Sequence, residues 1–386
     1  MTTFIEAMPG VAFLPASWEG GILLVLSFLL LLLGAEIFTN GVEWLGHRLG
    51  VSESATGSIL AAVGTALPET TIPIIAILQG GQAAESVGVG AILGAPIMLA
   101  TVAMFIIGTA VYYYASGRTN GMEMHFNEVS TRRDLSFFLV GYSLAFVAAL
   151  VTNRAISVLI GVTLVALYVY YVYRSLRSGD LVEEDELDAL FFGRFLERVD
   201  ATVPGRRSSG NDHGGNPHLL LVALQTLVAL GLIIGGAHLF VTEVEWLAGT
   251  VLNVPTAIVA LLIAPLATEL PEKFNSVLWI SRDKDTLALG NITGAMAFQG
   301  TLPVTIGILY TSWDLSLQWG TTGFLNGLSA LLAIVSGGFL YLRARNGNGA
   351  NMTARPFLIG GVFYLLFIVV LVYHVLFMNV SGAVGH

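Results

Sequence analysis

The chain has 386 residues, of which 55% are apolar and 11% charged, against roughly 45–50% and about 25% in soluble domains. With a mean hydropathy of +0.78 there is too little charge to cover a water-facing surface, so a soluble globule is excluded and most of the exterior must face lipid. The net charge of -9 is concentrated in loops and leaves no basic face for a nucleic acid, and the absence of cysteine excludes disulfides, thiolate catalysis and Cys-based metal sites.

A helix that crosses a bilayer needs about 20 mostly apolar residues. Ten stretches qualify: 20–40, 54–78, 86–111, 135–151, 155–174, 218–240, 255–280, 286–310, 320–342 and 356–378. No basic segment precedes the first, and its apolar run is too long for a cleaved signal, so it counts as a span. The only long polar segment, Arg174 to Pro217, carries the acidic run Glu183, Glu184, Asp185, Glu186 and Asp188 and then a Gly/Ser/Asn-rich stretch. The expected fold class is an all-α polytopic membrane protein. Residues 1–175 form a first transmembrane repeat (spans 1 to 5), 176–217 a cytoplasmic acidic and polar loop, and 218–386 a second repeat (spans 6 to 10).

Basic residues near span ends stay cytoplasmic. With these ten spans, fifteen of the 17 Lys and Arg fall on one side, Arg154 stands alone on the other, and Lys273 lies inside span 7. A missing or extra span would scramble every later loop. Both termini are therefore expected outside and loop 176–217 in the cytoplasm, in a multi-pass protein of the cell membrane.

The halves repeat each other. Gly34-Ala35 and Phe38 with Glu43-Trp44-Leu45 recur as Gly236-Ala237 and Phe240 with Glu245-Trp246-Leu247, an offset of 202. Thr65-Ala66-Leu67-Pro68-Glu69 recurs as Thr268-Glu269-Leu270-Pro271-Glu272, at offset 203, and Gly90 to Ala95 as Gly290 to Ala295, at offset 200. With five spans each, the halves have opposite orientations, and a site is expected near the midplane where inverted repeats meet.

Glu69 and Glu272 each follow Leu-Pro within an apolar span. A carboxylate at membrane depth costs several kcal/mol unless paired, protonated or bound to a cation. Each proline breaks or kinks its helix just upstream, and Thr65 and Thr268 stand four residues before the acids. Freed carbonyls beside a carboxylate make a site for a hard cation. The plainer alternative is a structural kink whose acids are protonated or bonded to hydroxyls; the symmetric pairing argues against it. Glu269 and Lys273 have the helical spacing and order of an ion pair. Alternatively Lys273 acts as a tethered cation in the site, or it snorkels to a helix end.

Other polar residues have less specific readings. Glu43 and Glu245, beside Trp44 and Trp246, read as interfacial anchors. Glu36 and His238 are deeper repeat mates, open either to titration during transport or to a solvated or paired role. The acidic run at 183–188 lacks the spacing of a calcium loop and reads as a solvated segment.

Gly64-Thr65-Ala66-Leu67-Pro68-Glu69 and Thr268-Glu269-Leu270-Pro271-Glu272, followed by Asp285 and by Gly290-Asn291-Ile292-Thr293-Gly294, resemble the two signature repeats of the cation/calcium exchanger superfamily, which includes the sodium/calcium exchangers. The resemblance implies electroneutral or electrogenic antiport, with ions held by acidic, amide and hydroxyl ligands on helices 2, 3, 7 and 8, while helices 1 and 6 slide to alternate access. It carries over Thr65, Glu69, Thr268 and Glu272. Where the family has serine, this chain has Ala66, Glu269, Ala95 and Ala295, and the amide or carboxylate position holds Leu99 in one half and Gln299 in the other.

The expected function is a secondary active antiporter that exchanges Ca2+ for Na+ or H+ by alternating access around a midplane carboxylate site. Its expected ligands are Glu69, Glu272, Thr65, Thr268, Glu269 and Gln299, with Lys273 modulating the charge. Because several usual ligands are replaced, the alternative is an exchanger of another cation, coupled to protons or a monovalent ion. An intramembrane enzyme would need motifs such as His-Glu-x-x-His, which this chain lacks. No enzyme activity and no cofactor are expected. The partners are the transported cations (Ca2+, Na+ or H+) and the lipid bilayer, and the chain is read as a monomer that binds no nucleic acid.

Overall fold

The computed structural model describes residues 16–48, 67–177, 190–193, 218–313, 315, 318–346 and 351–377. In chain order the helices are α1 (Ala16–Arg48), α2 (Leu67–Gln79), α3 (Gln82–Ile97), α4 (Met104–Tyr114), α5 (Glu128–Ala149), α6 (Arg154–Arg177), α7 (Leu219–Trp246), α8 (Thr256–Thr268), α9 (Leu270–Ser281), α10 (Asp285–Gln299), α11 (Leu302–Tyr310), α12 (Thr322–Asn346) and α13 (Arg355–Phe377). A π-helical segment, Met98–Ala103, joins α3 to α4, and another, Leu247–Leu252, extends α7.

Among the described residues, seven helical segments are long and apolar enough to cross a bilayer: Trp18–Val42, Gln82–Tyr114, Arg154–Ser175, Leu219–Leu252, Asp285–Tyr310, Thr322–Ala344 and Arg355–Phe377. The other expected spans differ for separate reasons. Span 2 is described only from Leu67 onward, and α5 carries Glu128, Arg132, Arg133 and Asp134 in its first two turns. Span 7 is not one helix, because it breaks at Glu269 between α8 and α9. Bulky apolar side chains lie exposed along α1, α6 and α13, including Leu29, Leu159, Val162, Leu365 and Val369. Such surface is tolerable only against lipid.

Two apolar cores share α3 and α8. One joins Leu31 of α1, Ile72 of α2, Val87 of α3, Phe240 of α7 and Ala260 of α8. The other, larger core runs from Leu93 through Phe138 and Ile292 to Phe357 and Phe367, and takes Leu261 from α8. α1 and α7 cross closely: a Cβ on Gly34 would lie 2.8 Å from Ile233, and one on Gly236 3.1 Å from Leu30. Small residues let helix backbones approach where dispersion, and not the hydrophobic effect, must hold them.

The expectation of an all-α chain needs one amendment. Strand β1 (Glu123–His125) pairs antiparallel with β2 (Asn351–Thr353), with Met124 opposite Met352. Beside this ribbon the Arg118 guanidinium is buried against Asp285. The turn before α10 holds Asp283, which accepts the Thr119 N–H at 2.9 Å. That bond, helped by the nearby Arg118 charge, holds the Asp283 carboxyl below the usual carboxylate range.

Residues 190–193 dock on α1 and α7. Leu190 packs with Trp44 and Val222, so Trp44 is buried in a small apolar cluster. Hydropathy cannot detect a loop that covers an aromatic side chain. Its neighbour Glu43 stands on α1, the acidic run at 183–188 lies outside the described residues, and Glu245 is half-buried.

Candidate cation site

The second Leu-Pro-Glu triplet opens a helix, α9 at Leu270, and the first stands at the start of the described part of α2, at Leu67. Proline suits a first helical turn, where its missing N–H would have no partner anyway. In the second half the break is visible in full. α8 ends at Thr268, Glu269 leaves helical geometry at φ -95° and ψ 9°, and α9 begins at the next residue. Glu272 thus sits in the first turn of α9, where the partial positive charge of the N-terminus favours an anion.

The structure buries every described residue of the expected ligand set: Glu69, Thr268, Glu269, Glu272 and Gln299, together with Lys273. Thr65 lies outside the described residues. The Lys273 ammonium donates to Glu269 Oε2 at 3.1 Å and to the Pro265 carbonyl at 3.3 Å. Thr268 Oγ1 donates to the Ala264 carbonyl at 3.1 Å, which leaves its lone pairs facing outward from that bond. Glu69 lies within electrostatic reach of Glu272, Glu269 and Lys273.

One oxygen of each acid, Oε2 of Glu69, Oε1 of Glu269 and Oε2 of Glu272, is buried without a hydrogen-bond partner, and so is Oε1 of Gln299. Most buried polar atoms in proteins are paired, and each exception needs a reason. Four such oxygens, all on residues selected from the sequence for cation binding, make a set of hard ligands with no donor. Among the described residues no three acidic or histidine side chains close into a cage around one metal ion. The acids share an electrostatic neighbourhood.

α10 gathers polar contacts that the sequence reading left unassigned. Asn291 donates from Nδ2 to the Glu272 main-chain carbonyl at 3.0 Å and lies 3.3 Å from Ser276 Oγ, so it pins the broken helix to α10. Thr293 donates to the buried Asp134 at 2.9 Å, and Asp134 also accepts from Arg133 at 3.0 Å. Asp134 escaped notice because it falls one residue before the apolar stretch of span 4. Asn291 stands inside the repeated glycine motif, but its amide reaches a main-chain carbonyl, a contact that spacing does not reveal. Glu36 is exposed, whereas its repeat mate His238 takes Gln79, with His238 Nδ1 and Gln79 Nε2 2.5 Å apart.

The sodium/calcium exchanger protein family matches residues 20–177 and, separately, 221–376. The chain belongs to this sodium/calcium exchanger family. An exchanger of this family is a membrane antiporter of cations and not an enzyme. An uncharacterized membrane protein of Methanocaldococcus jannaschii is 22% identical over 272 residues, 70% of this chain and 75% of its own. Among solved structures, the H+/Ca2+ exchanger CAX shares 18% identity, covering 92% of this chain and 82% of its own at a TM-score of 0.66. The sodium-calcium exchanger NCX_Mj, also 18% identical, covers 91% of this chain and 97% of its own at a TM-score of 0.52. These likenesses establish a shared fold.

Proposed function

We propose that this exchanger moves Ca2+ against Na+ or H+ by alternating access around a site near the bilayer midplane. Its ligands are Glu69, Glu272, Thr65, Thr268, Glu269 and Gln299, and Lys273 modulates its charge. The observation that carries the reading is the set of four buried, unpartnered oxygens on Glu69, Glu269, Glu272 and Gln299. Burying carboxylates without donors is costly, and a desolvated cation is the partner that offsets the cost.

The same reading takes the chain as ten spans in two inverted five-helix repeats, 1–175 and 218–386, joined by a cytoplasmic loop at 176–217, with both termini outside. Three features support it. The family matches the chain in two parts. The Leu-Pro-Glu triplets at Leu67 and Leu270 both lie in helices, α2 and α9, 203 residues apart. The regular helix also gives way at Met98–Ala103 in one half and after Gln299 in the other. The functional unit is the monomer.

The test is 45Ca uptake into proteoliposomes driven by an imposed Na+ or H+ gradient. Wild type should accumulate Ca2+, and Glu69→Gln and Glu272→Gln should each lower uptake at least about tenfold, since 1.4 kcal/mol of lost cation binding already does that and a charged ligand is worth more. Wild-type uptake by both variants would make the acids structural.

One observation favours a second reading, an exchanger of a different cation coupled to protons or a monovalent ion. Leu99, fully buried, occupies the position equivalent to Gln299 and offers no oxygen. Fewer ligands suit a cation of lower charge or looser coordination. Replacing 45Ca with other cations in the same vesicles separates the two.

A further inference from the structure

Among the described residues, Lys273 is the basic residue that lies deep among the site's acids. Its side chain is 5% exposed and that of its partner Glu269 is 2% exposed, so the ammonium does not snorkel to water. It instead takes two oxygens. One is Oε2 of Glu269, and the other is the main-chain carbonyl of Pro265, eight residues earlier and on the far side of the helix break. Eight residues of intact helix would separate the two backbones by about 12 Å along the axis. The turn at Glu269 brings the carbonyl within the side chain's reach.

The Pro265 carbonyl also accepts the Glu269 N–H at 3.2 Å, so the ammonium uses its second lone pair. A carboxylate oxygen and a main-chain carbonyl beside a helix break are the kind of ligands that a hard monovalent cation takes inside a membrane. Lysine presents a compact point charge of that kind on a flexible stem. We infer that Lys273 is a resident monovalent cation, built into the chain at the Pro265–Glu269 break, which fixes the number of ions exchanged per cycle. The inference rests on the cation site proposed above. Glu269 then bridges two charges: Oε2 holds the ammonium, and the unpartnered Oε1 is left for the cargo.

The stoichiometry follows by charge. With all three acids ionised around the cargo, they and the Lys273 ammonium carry a net charge of -2, which one divalent or two monovalent cations neutralise. A loaded site is then neutral in both halves of the cycle, and one divalent ion exchanges for two monovalent ions without net charge crossing the membrane. With Lys273 removed the site carries -3. Two monovalent ions no longer neutralise it, a third is drawn in, and each divalent ion crosses against one net charge.

The experiment measures, in proteoliposomes holding the full chain, the Ca2+ gradient at which net 45Ca flux vanishes under clamped membrane potentials, with Na+ and with H+ as counter-ion. Wild type and Lys273→Arg should show no dependence on potential. Lys273→Met should shift the equilibrium gradient tenfold per about 59 mV, the value for one charge. Net charge movement by wild type, or identical behaviour of wild type and Lys273→Met, overturns the inference. If Lys273→Met does not insert, the double variant Glu269→Gln/Lys273→Met takes its place, because it removes both members of the buried pair and leaves neither charge uncompensated. Transport without net charge by the double variant supports the inference, and loss of its transport overturns it. Failure of the site itself reads differently: wild type shows no gradient-driven uptake, or Glu69→Gln transports as wild type does. Charge movement by a wild type that needs Glu69 counts against Lys273 alone.

Discussion

Arg118 and Asp285, 167 positions apart in sequence, form an ion pair with neither side chain exposed: Nη2 of the arginine lies 2.6 Å from both carboxylate oxygens. The same carboxylate accepts the His125 N–H of β1 at 2.9 Å, and Arg118 reaches the Gly121 carbonyl at 3.0 Å. The pair therefore ties the end of α4 and the ribbon to the start of α10, the helix whose other end presents Gln299.

Removing one member of such a pair leaves the other charge buried and uncompensated, which costs about 3–5 kcal/mol. Asp285→Asn should lower the thermal unfolding midpoint in detergent sharply. The double change Arg118→Met/Asp285→Leu should cost much less, since no lone charge remains. Equal losses in the two variants would show that the hydrogen bonds to β1 matter more than the charge balance.

A second tie holds residues 190–193 to the α1–α7 pair. Gln225 is fully buried. It donates to Asn40 Oδ1 at 2.9 Å and accepts the Phe192 N–H at 2.9 Å, while Asn40 Oδ1 accepts the Phe191 N–H at 3.2 Å. Gln225→Leu strips partners from three groups, and an unsatisfied buried group costs about 1–3 kcal/mol. The expected outcome is release of this short segment, read as faster chymotryptic cleavage after Phe191 or Phe192, with the membrane helices still protected. Unchanged cleavage would mean that Leu190 and Trp44 hold the segment by packing alone.

The two glycine motifs are alike in sequence and unlike in surroundings. A Cβ on Gly94 would collide with the Leu261 carbonyl and lie 2.5 Å from Pro265, and one on Gly90 would lie 2.6 Å from the Ala257 carbonyl. Gly290 has nothing within 4 Å among the described residues. Gly94→Ala should therefore destabilise by about 1–3 kcal/mol through overpacking of α3 on α8, whereas Gly290→Ala should be neutral or stabilise by up to about 1 kcal/mol. Thermal unfolding of both variants checks the contrast, and a matched loss would show that Gly290 faces an equally close backbone.

Much of this organisation was legible before any coordinates. Lipid demands long apolar helices, so Trp18–Val42, Arg355–Phe377 and their like announce themselves by composition. Pro271 announces the break at Glu269, because a proline that cannot donate to its preceding turn limits where a helix can run. Glu69 and Glu272 stood out as carboxylates inside apolar stretches, Glu269 by its spacing to Lys273, and Gln299 through the family resemblance alone; the structure leaves an oxygen of each unpartnered. The missed features depend on partners distant in sequence. Three-residue strands such as Glu123–His125 carry no periodicity, and their pairing with residues more than 200 positions away has no local signal. Arg118 looks like any loop arginine until Asp285 arrives beside it, and nothing local in the sequence places Leu190 against Trp44.

Gln299 separates stability from function most cleanly. Its Oε1 is buried without a donor at the end of α10, just before Gly300 and Thr301 interrupt the helix. Without cargo that oxygen has lost its water and gained nothing, an arrangement that costs about 1–3 kcal/mol. Gln299→Leu removes the oxygen and nearly keeps the volume, so the ion-free protein should become more stable. A ligand that binds only the folded state adds stability by mass action, about 2.7 kcal/mol at a hundredfold excess over its dissociation constant. If Gln299 supplies a ligand and its loss weakens Ca2+ binding tenfold, the same Ca2+ concentration should add only about 1.4 kcal/mol to Gln299→Leu. Gln299→Asp should reverse both signs: a third uncompensated charge lowers the stability of the ion-free protein and raises the Ca2+-dependent gain. Thermal unfolding with and without Ca2+ measures all three proteins in one experiment. A Gln299→Leu variant that gains stability while keeping the full Ca2+ response would remove Gln299 from the ligand set and leave the site to the acids, Thr65 and Thr268.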